Sequence, residues 1–169
     1  MFTRVLILAG GVSGAAALSQ FPEFSQQYAQ RLGGAVDELR LFVQDFDADA
    51  ASVGLEREAA LVQLADGGAL GAARAETMRG TIARYQRLET AQDKLKGAGA
   101  LGRAINVMHF NDADIARAAW ADFRPAVPLT AEGAVFGGGG FVTGGLLMAV
   151  LIGGLRRLSG RRKRAKGAA

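Results

Sequence analysis

Two long apolar stretches without ionisable side chains flank a middle region in which apolar residues recur at helical spacing. One stretch runs from Val5 to Leu18, and the other runs from Gly133 to Leu155. All sixteen acidic residues lie between Glu23 and Glu132. This arrangement is typical of a membrane protein that has a span near each end and a defined orientation in the bilayer. We therefore predict an all-α membrane protein in which two terminal transmembrane helices flank a helical extramembrane region.

The C-terminal apolar stretch predicts a transmembrane helix over residues 131–156. The 25 residues from Ala131 to Leu155 would reach about 37 Å at ~1.5 Å per residue, enough to cross a hydrocarbon core of about 30 Å. Pro128 breaks the chain before this helix. Thr130 is the expected N-cap, and Glu132 lies in the positive first turn.

The N-terminal stretch predicts a second transmembrane helix over residues 1–20, which serves as an uncleaved signal anchor. Its charge-free core is about fourteen residues long, which also suits a signal peptide, and Ala15 to Ala17 offer a cleavage site. Phe2, Thr3, Ser19 and Phe21 extend the span toward the length that a bilayer requires. A removed signal peptide remains the alternative.

The middle region, residues 21–130, predicts helices and no strands. Apolar residues from Phe24 recur every three or four positions to Phe46, with Pro22 near the first turn and Gly33-Gly34 marking a kink or a close helix contact. A second helical pattern runs from Met78 to Leu95 and is closed by Gly97 and Gly99. A third helix is expected to begin at Asn111 as its N-cap.

The charges predict the topology. Residues 20–132 carry twelve Lys/Arg and sixteen Asp/Glu, whereas seven cations and no acid follow Leu155. Cations beside a span mark its cytoplasmic side, so both termini, including the basic tail at 157–169, are expected in the cytoplasm and the middle region in the periplasm. The same cations would attract anionic lipid headgroups; they are Arg156, Arg157, Arg161, Arg162, Lys163, Arg164 and Lys166. No stacking aromatic residues accompany them, so nucleic-acid binding is not expected.

Glycines spaced four residues apart predict close helix packing inside the membrane. Small residues at this spacing let helices approach closely in lipid, where packing drives association. The candidate helix-packing positions are Gly10, Gly14, Gly137, Gly140, Gly144, Gly145 and Gly153. The two spans would form a hairpin whose glycine rows face each other or a further helix.

The sequence offers little for catalysis or metal binding. There is no cysteine, and His109 is the only histidine, so a zinc site or a hydrolytic triad lacks partners. A calcium-loop template is matched by Asp45, Asp47, Asp49 and Glu56, but Ala50 stands where the template requires glycine. We therefore expect no metal site, no cofactor and no catalytic residue, with the acidic segment a solvated helix end. The spans carry no buried ionisable residue for an ion pathway.

The chain resembles a family of small bacterial inner-membrane proteins catalogued as domain of unknown function 2937. The resemblance rests on Gln26 to Gly34 followed by Asp37-Glu38, on Arg84 to Leu88, and on Pro125 to Thr130, in this order along the chain. It implies two terminal membrane helices around a helical domain, and no activity. The glycine density of the second span and the basic tail are not features of that resemblance.

These patterns predict a non-catalytic accessory, assembly or stabilising subunit that packs against a larger membrane complex or forms a homo-oligomer. Outside the membrane, Tyr28, Arg31, Gly33 and Gly34 are the expected interaction residues. The alternative is an envelope module that senses a ligand or ion through the segment from Asp45 to Glu56.

Overall fold

The computed structural model describes residues 1–125 and 129–166, with side chains described as far as Arg157. Within these residues all regular structure is helical, which confirms the all-α prediction. The elements are α1 (Phe2–Leu18), α2 (Phe21–Ser52), α3 (Arg57–Ala65), α4 (Gly68–Leu95), α5 (Ala100–Ile105), a 3₁₀ turn (Val107–His109), α6 (Ala113–Asp122) and α7 (Ala131–Lys166). The predicted break at Pro128 lies outside the described residues.

The chain forms two compact units. The hairpin unit comprises residues 1–25 together with those from Arg124 onward, and the middle unit comprises Gln26–Phe123. Two helical stretches are long and apolar enough to cross a membrane: Phe2–Ser52, which begins with α1, and Ala131–Arg157 within α7. In the hairpin unit, α1 lies beside α7. They pack against each other in antiparallel fashion, since Ser19 lies opposite Gly137 while Ile7 lies opposite Gly145.

The start of α7 is fixed as its sequence predicts. The Gly133 N–H donates to the Thr130 hydroxyl at 3.0 Å, and the Ala134 N–H donates to the Thr130 carbonyl. Thr130 is therefore the N-cap, and Glu132 lies in the first turn. A cap of this kind satisfies amide groups that have no partner within the helix.

The middle unit is built around one face of α2. Its periodic apolar residues Tyr28, Leu32, Val36 and Val43 are buried, as the helical spacing predicts. One cluster of the core brings together three helices through Val43, Leu61, Met78 and Ile82, with Phe46 and Tyr85 packed against it. The helix continues through Gly33-Gly34 without interruption.

Several helix boundaries differ from the sequence-based prediction. Helix α4 begins at Gly68, ten residues before the first apolar residue of its pattern, because its first turns are rich in alanine and glycine and show no apolar period. The N-cap of α6 is Asp112 and not Asn111. Helices α3 and α5 were not predicted. The turn between α3 and α4 depends on Gly68, whose φ of +86° is a conformation that glycine adopts without strain.

Candidate functional site

The contact between α1 and α7 is made by glycine backbone. A Cβ atom placed on Gly14 would collide with the Gly140 carbonyl oxygen and lie 3.0 Å from the Gly144 Cα. One on Gly10 would lie 2.9 Å from the Gly144 carbonyl oxygen and 2.8 Å from the Met148 Cβ. Any larger residue at these positions must push the helices apart. The predicted glycine rows therefore meet each other within the chain.

Glycines at the edge of this contact divide into two groups. Gly137 and Gly145 lie against α1 at ordinary van der Waals distance, with nearest atoms 3.7 Å from a Cβ at either position. Gly153, also predicted to pack, has no atom within 4 Å of such a Cβ, and the same is true of Gly138 and Gly139. These glycines thus lie on a part of α7 that the hairpin does not use.

The sequence did not single out one further glycine, Gly11. It is buried, and a Cβ there would lie 2.9 Å from the Phe141 ring. Gly11 follows Gly10 directly and is not part of the four-residue spacing of Gly10 and Gly14. Its contact with α7 becomes apparent only once the two helices are paired. At the open end of the hairpin, the Arg156 guanidinium donates to the Thr3 hydroxyl at 2.5 Å.

The remaining basic tail is helical to Lys166. Of the predicted lipid-facing cations, Arg156 and Arg157 are exposed. The side chains of the other predicted cations lie outside the described residues; they are Arg161, Arg162, Lys163, Arg164 and Lys166.

The most organised polar cluster of the middle unit surrounds Asp112. One carboxylate oxygen accepts the N–H groups of Asp114 and Ile115, at 3.1 and 3.0 Å, and so caps α6. The Arg84 guanidinium donates to both oxygens of the same carboxylate, at 3.1 and 3.2 Å. The Tyr28 hydroxyl in turn accepts the backbone N–H of Asp112 at 3.3 Å, and the Tyr28 ring stacks on Phe110.

The electrostatics of this cluster are those of a satisfied structural site. The Asp112 side chain is only 7% exposed, and burial by itself raises the pKa of its carboxyl. The hydrogen bonds from Arg84 and from the α6 amides outweigh burial and hold that pKa below its ordinary value. Burial raises the pKa of the Tyr28 phenol. The carboxylate stays charged and the phenol stays neutral, so neither group is poised to accept or release a proton near neutral pH.

The four predicted interaction residues have different surroundings. Tyr28 is fully buried, so the prediction that it meets a partner is wrong; its position is explained by the aromatic core and Asp112. Gly33 lies 3.4 Å from the Gln92 amide, measured from its ideal Cβ, and Gly34 has no neighbour within 4 Å. Arg31 forms an ion pair with Asp122 at the end of α6.

The acidic segment does not form a calcium loop. Asp45, Asp47 and Asp49 belong to α2, which continues to Ser52, so their side chains point around a helix instead of converging. Asp47 accepts two hydrogen bonds from the Arg57 guanidinium, one of them at 2.6 Å from Nε, and these bonds lower the pKa of its carboxyl. Among the described residues, no three His, Cys, Asp or Glu side chains are grouped so that they could hold a metal ion.

Two adjoining hollows open beside the acidic segment. They have volumes of about 380 and 360 Å³ and share Phe46, Asp49 and Leu64 in their walls. Their lining is largely apolar, with Asp45 and Arg74 at the rim of the second. His109 lies apart from them, half-buried in the 3₁₀ turn.

A family model matches residues 2–161 of this chain, and that family is described as protein of unknown function (DUF2937). The chain belongs to the DUF2937 family. Membership of this family, inferred from the three sequence motifs, is therefore confirmed. No curated protein and no solved structure matches the chain.

The DUF2937 match extends over both apolar helices and the whole middle unit. The Gly10–Gly14 contact with α7 and the Asp112 cluster thus both lie within the region that the family model describes. The last cations of the tail, from Arg162 onward, lie beyond the matched residues.

Proposed function

We propose that this DUF2937 protein is a non-catalytic integral protein of the bacterial inner membrane and serves as an accessory, assembly or stabilising subunit of a larger membrane complex. In this proposal α1 and α7 cross the bilayer with both termini in the cytoplasm, and the middle unit lies in the periplasm. Cations next to the spans, at Arg4 and after Leu155, support this orientation.

The observation that carries the proposal is the division of the α7 surface. The hairpin uses the side of α7 that holds Gly140 and Gly144. Gly138 and Gly153, with the exposed side chains of Val142 and Leu146, lie toward another side. A helix that still offers small and branched apolar residues after pairing with α1 suits contact with a further helix in lipid.

The charged groups support a non-catalytic role. In the middle unit, Asp47 and Asp112 are each engaged by an arginine and stabilise the fold. The spans carry no ionisable side chain between Val5 and Leu18 or between Gly133 and Leu155. Proton relays and ion pathways depend on such groups inside the membrane. Asp45, Asp47 and Asp49 lie in α2, and Asp47 is paired with Arg57, which favours the subunit role over ion sensing by this segment.

The experiment that tests the proposal compares two sets of glycine variants in the tagged full-length chain. Wild-type protein extracted in native nanodiscs should carry a membrane partner in constant ratio, identified by mass spectrometry. Gly138→Leu and Gly153→Leu should reduce the recovered partner at least tenfold while the hairpin stays closed. Closure is measured with a Ser19→Cys/Gly137→Cys pair, since a Cβ on Gly137 would lie 3.7 Å from the Ser19 Cβ, a separation that suits a disulfide; this disulfide should form as readily as in the parent chain.

A second set provides the contrast. Gly14→Leu and Gly144→Leu should lower disulfide formation between residues 19 and 137, because they separate α1 from α7. Wild-type protein that is recovered alone and monomeric would refute the subunit role. Orientation is tested with an impermeant maleimide, which should label Leu70→Cys in intact spheroplasts and a cysteine at residue 169 only after the membrane is opened.

A further inference from the structure

One segment of the middle unit exposes large apolar side chains together. We define the α5 patch as Leu101 and Ile105 of α5 with Val107 and Met108 of the 3₁₀ turn. All four are exposed, Ile105 and Met108 to 83% and 82%. Leu101 and Ile105 are one helical turn apart and so share a face of α5. A soluble surface scatters such residues singly, whereas here four lie within eight positions.

The exposure is built into the local backbone. Ala100 is fully buried and anchors the start of α5. The Arg103 guanidinium donates to the Ala98 carbonyl at 2.6 Å, and the Asn106 amide donates to the Gly102 carbonyl at 2.9 Å. After the 3₁₀ turn, Phe110 stacks on the buried Tyr28 ring. Both ends of the segment are therefore tied to the core while its four apolar side chains point away from it.

The segment that carries the α5 patch has a net charge opposite in sign to that of the rest of the unit. Between Asp93 and Asp112 the chain carries Lys94, Lys96 and Arg103 and no acidic residue. The remainder of Gln26–Phe123 carries eight Lys/Arg against fourteen Asp/Glu. Cations and exposed apolar side chains are thus combined in one segment of an otherwise acidic unit. This is the combination that binds the interface of an anionic bilayer.

We propose that the α5 patch inserts into the headgroup region of an anionic lipid bilayer, with Lys94 and Lys96 contacting the lipid phosphates. The inference rests on the membrane location proposed above. About twenty residues separate Met108 from the start of α7, so the tether keeps the local concentration of bilayer high and even a weak contact is occupied. An acidic protein surface would match only the cations of this segment. An anionic bilayer matches the cations with its surface and the apolar side chains with the layer beneath it.

Because the chain contains no cysteine, a single introduced cysteine can be labelled without background labelling at another residue. Met108→Cys and, as a matched control, Leu70→Cys are labelled with an environment-sensitive fluorophore in the full-length protein. Leu70 is also an exposed apolar residue, at 78%, but lies in α4. Both proteins are reconstituted into phosphatidylcholine vesicles with and without 30% phosphatidylglycerol. Quenching is measured with doxyl-labelled lipid and with aqueous iodide, and helicity is checked by circular dichroism.

The label at residue 108 should be quenched by doxyl lipid at least twofold more than the label at residue 70, and more strongly with phosphatidylglycerol present. Lys94→Gln/Lys96→Gln should remove the phosphatidylglycerol dependence. A residue-108 label quenched by iodide like the control, or shielded from both quenchers, overturns the proposal; the second result indicates a protein partner. Equal lipid quenching at both positions also overturns it, because the whole unit would then lie on the membrane. Protein extracted from the vesicles by carbonate would instead refute the membrane location itself.

Discussion

Replacing Asp112 should destabilise the middle unit. The loss in the free energy of unfolding can be divided between the two kinds of contact that Asp112 makes. In Asp112→Ala the two amides at the start of α6 lose their acceptor, which costs about 1 kcal/mol for an N-cap. The bidentate hydrogen bond with Arg84 is lost as well. Because the Arg84 side chain is 37% exposed, solvent screens that pair, and its loss adds about 1 kcal/mol.

The expected total is therefore about 2 kcal/mol. For a unit of about one hundred residues this corresponds to a fall of roughly 10 °C in Tm. Asp112→Asn is the matched control, because asparagine caps helices as well as aspartate but cannot pair with Arg84 by charge. It should cost about 1 kcal/mol. Arg84→Met should cost more than Asp112→Asn, because it leaves the buried Asp112 carboxylate without its cation, and Asp112→Asn/Arg84→Met should show a coupling of about 1 kcal/mol or more.

The assay is guanidinium chloride unfolding of the full-length protein in detergent, followed by tryptophan fluorescence. Trp120 is the only tryptophan and lies in α6, the helix that Asp112 caps. A loss below 0.5 kcal/mol for Asp112→Ala would refute the role of the cluster. Equal losses for the alanine and asparagine variants would show that the cap contributes nothing and that the ion pair alone is responsible.

Three further outcomes are expected. The pKa values of the Asp47 and Asp112 carboxyls are lowered in the folded protein, so the stability that these groups provide is complete above their ordinary pKa of 3.8 and is lost as the pH falls through the folded values. The unfolding midpoint should therefore stay level from pH 7 to pH 5 and drop below pH 4. The drop should be smaller in Asp112→Asn. Leu88→Ala should cost about 2–5 kcal/mol in chemical unfolding because Leu88 is fully buried, whereas Leu70→Ala should change stability by less than about 0.5 kcal/mol. Gly80→Ala should stabilise the protein by about 1 kcal/mol and so raise Tm in a thermal melt, because Gly80 lies inside α4 and a Cβ at this position would meet open space.

The hairpin unit could be predicted because its signals are local. Charge-free length defines a span, and a threonine followed by an acidic first turn defines where α7 begins. The four-residue glycine spacing also predicts close packing, but it does not specify which glycines meet. Gly140 faces α1 while Gly153 does not, and only the register of the antiparallel pair decides this.

The polar part of the middle unit was harder to predict, since its contacts join residues far apart in sequence. Arg84 lies in α4 and Asp112 precedes α6 as its N-cap, and their sequence neighbours do not reveal that they meet. Tyr28 was predicted to be an interaction residue, yet its helical spacing with Leu32 already indicated the core. Helix α5 escaped prediction because six residues are too few to show a period.

The hairpin has a consequence for how the chain is made. Helix α1 leaves the ribosome first, and its partner α7 follows roughly 110 residues later. At about 5–20 residues per second, α1 waits on the order of ten seconds before α7 exists. During that interval Gly10, Gly11 and Gly14 are not yet covered by α7, and another helix can pack against them. Biogenesis therefore contains a time window in which an insertion factor or a foreign span competes with α7 for the same groove, and slowing translation of the middle unit lengthens it.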